Sequence, residues 1–244
     1  MAAIANAIEQ PNVSQPSLCE EPALEGQRSF WELSAPELLE RVASAELTPG
    51  GGSVSIMVAC MGTALLRKAL AVSLNKEPRA ADRRHALETA LKQLEASEAT
   101  LHDGADRDTS AFVNYVRALR LPHDRWSETR MQEKGREEAL VRASSMPIAA
   151  ASEMRNLFQG VLNQLPLIHD VALSDAIIGL RLLNSATECL LLTAESNLAK
   201  LANPVFQSTM GRQIRDIRHS TAQAESQLAC RLRSRKLTRS YLQN

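Results

Sequence analysis

Thr48-Pro49-Gly50-Gly51-Gly52-Ser53 runs directly into Val54-Ser55-Ile56-Met57-Val58-Ala59-Cys60-Met61-Gly62, and this junction decides how the rest of the chain is read. Three consecutive glycines behind a proline do not belong to the interior of a helix or strand, because glycine carries the largest backbone entropy cost. The residues beyond Ser53 are small and apolar, the composition of a buried helix. Ser53 therefore reads as the helix N-cap, with the glycines at the positive end of the helix dipole. Backbone N–H groups bare of side chains can approach an anion or a carbonyl oxygen there. A plain tight connection between two packed helices is the other reading of the same stretch. A P-loop is excluded, since no Gly-Lys-Ser/Thr comes after it, and so is a dinucleotide fingerprint, since no strand precedes.

Working outward, the 244 residues are enough for one well-buried core. The formal net charge of zero argues against a phosphate-binding nucleic-acid surface, and 3% aromatic residues against base-stacking platforms. Cys19, Cys60, Cys189 and Cys230 stand far apart, without a CxxC or a histidine at metal-ligand spacing, and read as reduced thiols of a cytoplasmic protein. No basic-then-apolar signal opens the chain. The longest apolar run, residues 54–66, is short for a membrane span and ends in Arg67-Lys68. Residues 1–28 mix prolines with polar residues and are expected to be a mobile leader, with one helical domain over 29–244.

Ser34-Ala35-Pro36-Glu37 is a capping-box pattern, and Leu38, Leu39 and Val42 predict a short amphipathic helix leading to the glycines. The small residues after Ser53 let a second helix come close, which places this helix at the centre of a bundle or at a dimer seam. Over residues 80–121, Leu87, Leu91, Leu94, Leu101, Ala105, Asp108, Phe112, Val116 and Leu119 keep a helical period. Asp108 thus falls on an apolar face, where a carboxylate is costly unless paired or kept neutral by a raised pKa. An ion pair or helix N-terminus across the bundle is one explanation, and a functional acid the other.

Ser127 is expected to cap the next helix and Pro147 to bend it. A last long apolar helix spans residues 173–202, with Asp175 in its first turn, where a carboxylate complements the dipole. The arginines from Arg212 to Arg239 read as a solvated face, and the five histidines form no catalytic cluster. Strand signals are nearly absent. The fold expected is an all-α, single-domain helical bundle.

Thr48-Pro-Gly-Gly-Gly-Ser-Val, between a short amphipathic helix and an Ala/Gly/Met-rich one, resembles the cyclodeaminase/cyclohydrolase family of folate one-carbon enzymes, over roughly residues 30–236. Asp108-Thr-Ser-Ala-Phe112 matches that family's Asp-x-x-Ala-Phe, and Leu121-Pro122 the Leu-Pro beyond it. Met146-Pro147-Ile148 resembles its Val-Pro-Leu, Ser174-Asp175-Ala176 its Ser-Asp-Ala, and Asn197-Leu198 its Asn-Leu. At the family's Gly-Lys-Lys corner only Lys76 matches, and the segment before Ser174 departs from the pattern.

The resemblance implies a homodimer acting on a reduced folate without a metal or redox cofactor. It implies Asp108 as the first catalytic candidate and Asp175 as the second. Gly50, Gly51, Gly52 and Ser53 would hold the pterin, Lys76 an acidic part of the substrate, and Asn197 an amide contact. Asp175 and Asn197 are 22 residues apart, so a straight helix separates them by about 33 Å. They serve different ends of a ligand or sites shared across a dimer. Methenyltetrahydrofolate cyclohydrolase is the main expectation, with formimidoyltetrahydrofolate cyclodeaminase the alternative. A non-catalytic helical dimer that kept the fold is the rival from another class.

Overall fold

The structure, a computed structural model, describes residues 29–76, 81–120 and 126–234. The expected leader, residues 77–80, Leu121-Pro122 and the basic residues 235–239 lie outside the described residues. Six α-helices come in order: α1 (Ala35–Ala43), α2 (Gly51–Lys76), α3 (Ala81–Arg120), α4 (Trp126–Gln164), α5 (Leu173–Leu198) and α6 (Pro204–Ser234). Short 3-10 turns precede α1 and connect α4 to α5, and among the described residues there is no strand.

The capping box forms as expected. Ser34 accepts from the Glu37 backbone N–H, and Glu37 takes the Ser34 N–H at 2.7 Å. The helix it starts is more exposed than its pattern suggests, with Leu39 at the surface and only Leu38 packed against the core. Upstream, Trp31 stacks on His102 and donates its indole N–H to the His102 carbonyl, fastening this segment to α3.

Helix α2 starts at Gly51, three residues earlier than the N-cap reading of Ser53 allowed. The Val54 N–H already bonds the Gly50 carbonyl at 3.1 Å, so Ser53 belongs to the first turn and its hydroxyl is free for work other than capping. The small residues of α2 place it at the centre of the bundle. It lies antiparallel to α5, with Gly62 against Gly179 and the Ser73 hydroxyl accepting from the His169 backbone N–H at 2.9 Å. A Cβ on Gly179 would stand 2.7 Å from both the Gly62 carbonyl oxygen and Leu66 Cγ. Residues 54–66, expected to be short for a bilayer, are thus part of a 26-residue helix. By length and composition α2 and the segment Asp170–Leu198 are sufficient to cross a membrane. In this fold they form the central pair, with 56% and 44% of their most apolar windows buried.

Helix α3 buries Leu87, Leu94, Leu101, Ala105 and Asp108 as its period predicts, but near its end Tyr115 is buried and Leu119 exposed. Helix α4 begins at Trp126, one residue ahead of the expected cap at Ser127, and runs through Pro147 without ending. Ile148 and Ala151 of its small-residue stretch are buried within the chain. Two arginines of α6 are tertiary clamps and not solvated decoration. Arg218 bridges Glu188 at 3.1 Å and Glu195 at 2.7 Å on α5, and its hydrogen bonds hold the Glu195 carboxyl below the usual range. Arg231 donates to the Leu162 carbonyl of α4.

The α2–α5 crossing makes a direct prediction. Gly179→Ala gains about 1 kcal/mol of helix propensity, yet the overlap with Gly62 and Leu66 outweighs it. A net loss of about 1–2 kcal/mol is expected in chemical denaturation. An unchanged midpoint would show that the two helices can separate without cost.

Candidate active site at the glycine corner

The first turn of α2 lies against the last third of α3, and the two helices touch where Gly52 meets Asp108. A Cβ on Gly52 would stand 2.9 Å from Asp108 Cγ and would overlap the carboxylate, so only glycine admits the acid at this position. Gly51 is less constrained, its nearest neighbour being Thr193 Oγ1 at 4.0 Å. Ser53 Oγ, almost wholly buried, donates to Asp108 Oδ2 at 3.1 Å and lies 2.7 Å from Thr109 Oγ1. With the serine proton on the carboxylate, the Thr109 hydroxyl is left to donate to Ser53.

Asp108 is 8% exposed, and among the described residues no lysine or arginine pairs with it. The ion-pair explanation of its place on the apolar face therefore drops out. Burial pushes its carboxyl above the usual carboxylate range, and the Ser53 hydrogen bond pulls it part of the way back. A carboxyl in this state keeps its proton to a higher pH than an ordinary one, which suits it to giving and taking a proton.

These groups open onto a cavity of about 460 Å³, within the range of small-molecule sites. The glycine corner and Ser53 form one wall, and Asp108, Thr109 and Phe112 come from α3. Thr193, Ser196 and Asn197 face them from α5, and Leu47, Ala143, Leu192 and Lys200 complete the lining.

Asn197 is held by a device that begins with a proline. Pro147 has no N–H, so the carbonyl four residues earlier, Ala143, lacks its helical donor. Asn197 Nδ2 supplies one at 3.0 Å across the α4–α5 interface. That bond fixes which way the amide faces, and Asn197 Oδ1, which takes no hydrogen bond from the described residues, is the acceptor it offers the cavity. The expected bend at Pro147 is thus, in its local effect, a vacated carbonyl filled by a site residue.

Six of the residues singled out from the sequence, Gly50, Gly51, Gly52, Ser53, Asp108 and Asn197, line this one cavity. The other two stand apart from it. Asp175, at the start of α5, pairs with Lys68 of α2 at 2.9 Å. Lys76 is the last residue of α2, about 37 Å along the helix from Gly51. Because α2 and α5 are antiparallel, both lie toward the opposite end of the bundle.

Sequence reasoning missed Thr109, Phe112, Thr193, Ser196 and Lys200 as lining residues. Thr193 carried a usable signal, since it shares the helical face of Asn197 at a spacing of four, and Ser196 lies three residues beyond Thr193. No described histidine lines the cavity. Cys60 in the α2 core is no nucleophile, because burial, with Glu98 adding to it, pushes its thiol up to about 12.

The Pro147–Ala143–Asn197 arrangement is testable without a ligand. Asn197→Ala strands a buried carbonyl and is expected to cost about 1–3 kcal/mol. In a Pro147→Ala background the helix supplies the donor itself, so the same change should cost clearly less. Equal costs in the two backgrounds, measured by denaturant titration, would disprove the coupling.

With this geometry in view, the chain's relatives can be placed. A 181-residue stretch, 72% of this chain, is 25% identical to formimidoyltransferase-cyclodeaminase of Sus scrofa. The stretch covers 32% of that protein, so the chain spans about a third of the length of the curated relative it matches. The fold matches the crystal structure of formiminotetrahydrofolate cyclodeaminase from Thermotoga maritima with a TM-score of 0.75. That match has 20% identity and covers 84% of this chain and 98% of the other. The family model described as formiminotransferase-cyclodeaminase matches residues 34–216, which takes in the glycine corner, Asp108, Pro147 and Asn197, and the chain belongs to that family.

Proposed function

We propose that the protein is a formimidoyltetrahydrofolate cyclodeaminase that closes the one-carbon bridge of formiminotetrahydrofolate and releases ammonia. The observation that carries this reading is the solitary buried carboxyl of Asp108 in the cavity at the glycine corner. Folate N10 attacks the formimino carbon, giving a tetrahedral carbon that holds N5, N10 and an amino group. For ammonia to leave, one proton must pass from N10 to that amino group. A single carboxyl that takes the first proton and returns it to the leaving nitrogen balances the step. The N5–C–N10 bridge then keeps the positive charge as the methenyl cation. As written, the reaction draws on no metal or redox cofactor.

Cyclodeaminase takes precedence over the cyclohydrolase expected first, because the relatives bear cyclodeaminase names. We place the enzyme in the cytoplasm, in keeping with its reduced thiols. The glycine corner would meet the polar edge of the pterin, and Asn197 Oδ1 would accept from one of its N–H groups.

Asp108→Asn tests the reading in two measurements. Because burial raises the folded-state pKa, the acid's contribution to stability is complete below the ordinary carboxylate pKa and is lost as pH rises through the raised value. The variant should therefore match or exceed the wild-type Tm at pH 7–8, with the difference shrinking as pH falls to about 4. Turnover of formiminotetrahydrofolate, followed by ammonia release and methenyl absorbance, should drop by about 10²–10⁴. A stable variant with full turnover would remove Asp108 from the chemistry.

The proposed homodimer has its own support. Val54, Val58, Met61 and Leu65 on α2, and Ile178, Leu182, Cys189 and Leu192 on α5, repeat at coiled-coil spacing on the outward face of the central pair. Met61 and Leu192 are each 61% exposed, and Leu192 also lines the cavity. Sedimentation at micromolar concentration should give a dimer, and Met61→Glu a folded monomer. A wild-type monomer would refute the proposal.

A further inference from the structure

Lys200 lines the cavity at the glycine corner and also a second one of about 610 Å³, formed by the neighbouring turns of the same helices. Along α3, Phe112 in the first cavity is followed by Tyr115 and Leu119 in the second. Along α4, Ala143 in the first is preceded by Leu140 and Arg136 in the second. From Phe112 to Leu119 the helix advances about 10 Å, so the two cavities form one groove with Lys200 at the junction.

The groove's charged groups are not equally free. Both Glu137 carboxylate oxygens accept backbone N–H groups, from Ala202 at 3.3 Å and Asn203 at 3.0 Å. Arg136 donates to the Ala118 carbonyl at 2.8 Å and the Leu119 carbonyl at 3.3 Å, at the end of α3. Glu133 is exposed, one turn of α4 before Glu137. Lys200 makes no ion pair or side-chain hydrogen bond among the described residues. Its backbone is fixed, since its N–H bonds the carbonyl of Asn197 at 3.0 Å. It stands just past the C-terminus of α5, where the helix dipole favours a cation.

Resting on the cyclodeaminase reading, we propose that the second cavity seats the aminobenzoyl-glutamate half of the folate and that Lys200 binds its carboxylate. Tyr115, Leu119 and Leu140 offer apolar surface to the aromatic ring, and Lys200, exposed and on a flexible four-carbon stem, reaches from the junction to the acid. Lys200 thereby takes the part assigned on sequence to Lys76, which the fold carries to the other end of α2. A contact of this kind at an exposed site is worth up to about a factor of five in affinity at low salt.

The test is steady-state kinetics of the full chain with formiminotetrahydrofolate and with its pteroate counterpart, which lacks the glutamate. Wild type should show a KM about fivefold lower for the folate, an advantage eroded by salt. In Lys200→Ala that advantage should collapse to about twofold or less, the loss falling on KM, and Lys200→Arg should keep most of it. A wild type that turns over both substrates with equal KM, or a Lys200→Ala protein that keeps the full advantage, overturns the inference and leaves the cyclodeaminase reading standing. An equal fall in kcat for both substrates with the advantage intact also overturns it, by assigning Lys200 to the chemistry or the fold. A wild type that turns over neither removes the cyclodeaminase reading and this subsite with it.

Discussion

The contact between Gly52 and the Asp108 carboxylate is the constraint on which the site depends. An isolated buried carboxylate costs several kcal/mol unless it is protonated, hydrogen-bonded or paired. Here the first turn of α2 replaces the missing cation with a glycine that lets the acid come close and a serine hydroxyl that binds it. Gly52 is therefore explained less by the flexibility of a loop than by the space another helix needs. Helix α2 takes in Gly51 and Gly52, and at Gly52 the conformational cost is offset by a packing arrangement no larger residue permits.

Much of the architecture was legible because it rests on local signals. Helical periods fix α3 and α5, the Ser34 box fixes the start of α1, and the small residues of α2 anticipate the close crossing at Gly62 and Gly179. Asp108 was legible for the same reason, as a charge in register with leucines and alanines. The end of α3 misled because period alone cannot say where a face leaves its neighbours. Tyr115 is covered there and Leu119 is not. The Ser53 cap failed for a tertiary reason, since its hydroxyl bonds a residue 55 positions away, which no local pattern contains.

The candidates that fall outside the cavity teach a related lesson. Motif matches gave Asp175 and Asn197 equal standing, yet the length of α5 forbids one small ligand from touching both within a chain. The antiparallel pairing of α2 and α5 then sorts every candidate to an end, glycine corner with Asn197, and Lys76 with Asp175. Asp175 has a local account in its pair with Lys68 and its place in the first turn of α5. Lys200 stayed hidden because a lone exposed lysine after a helix carries no sequence signal. Only the shared wall of two cavities marks it.

Pro147 joins the two kinds of information. In sequence it is a defect in a long helix, and a bend is the natural expectation. In the fold its consequence lies four residues upstream and on another helix, where the Ala143 carbonyl receives Asn197. Had any other residue stood at 147, its N–H would compete for that carbonyl, and the amide of Asn197 would lose the contact that fixes its orientation. The direction in which a site residue faces is thus set by a missing donor in a different helix, coupling α4 to α5 at the wall of the cavity. A feature that lowers helix stability locally is retained where the freed group positions a side chain that the cavity uses.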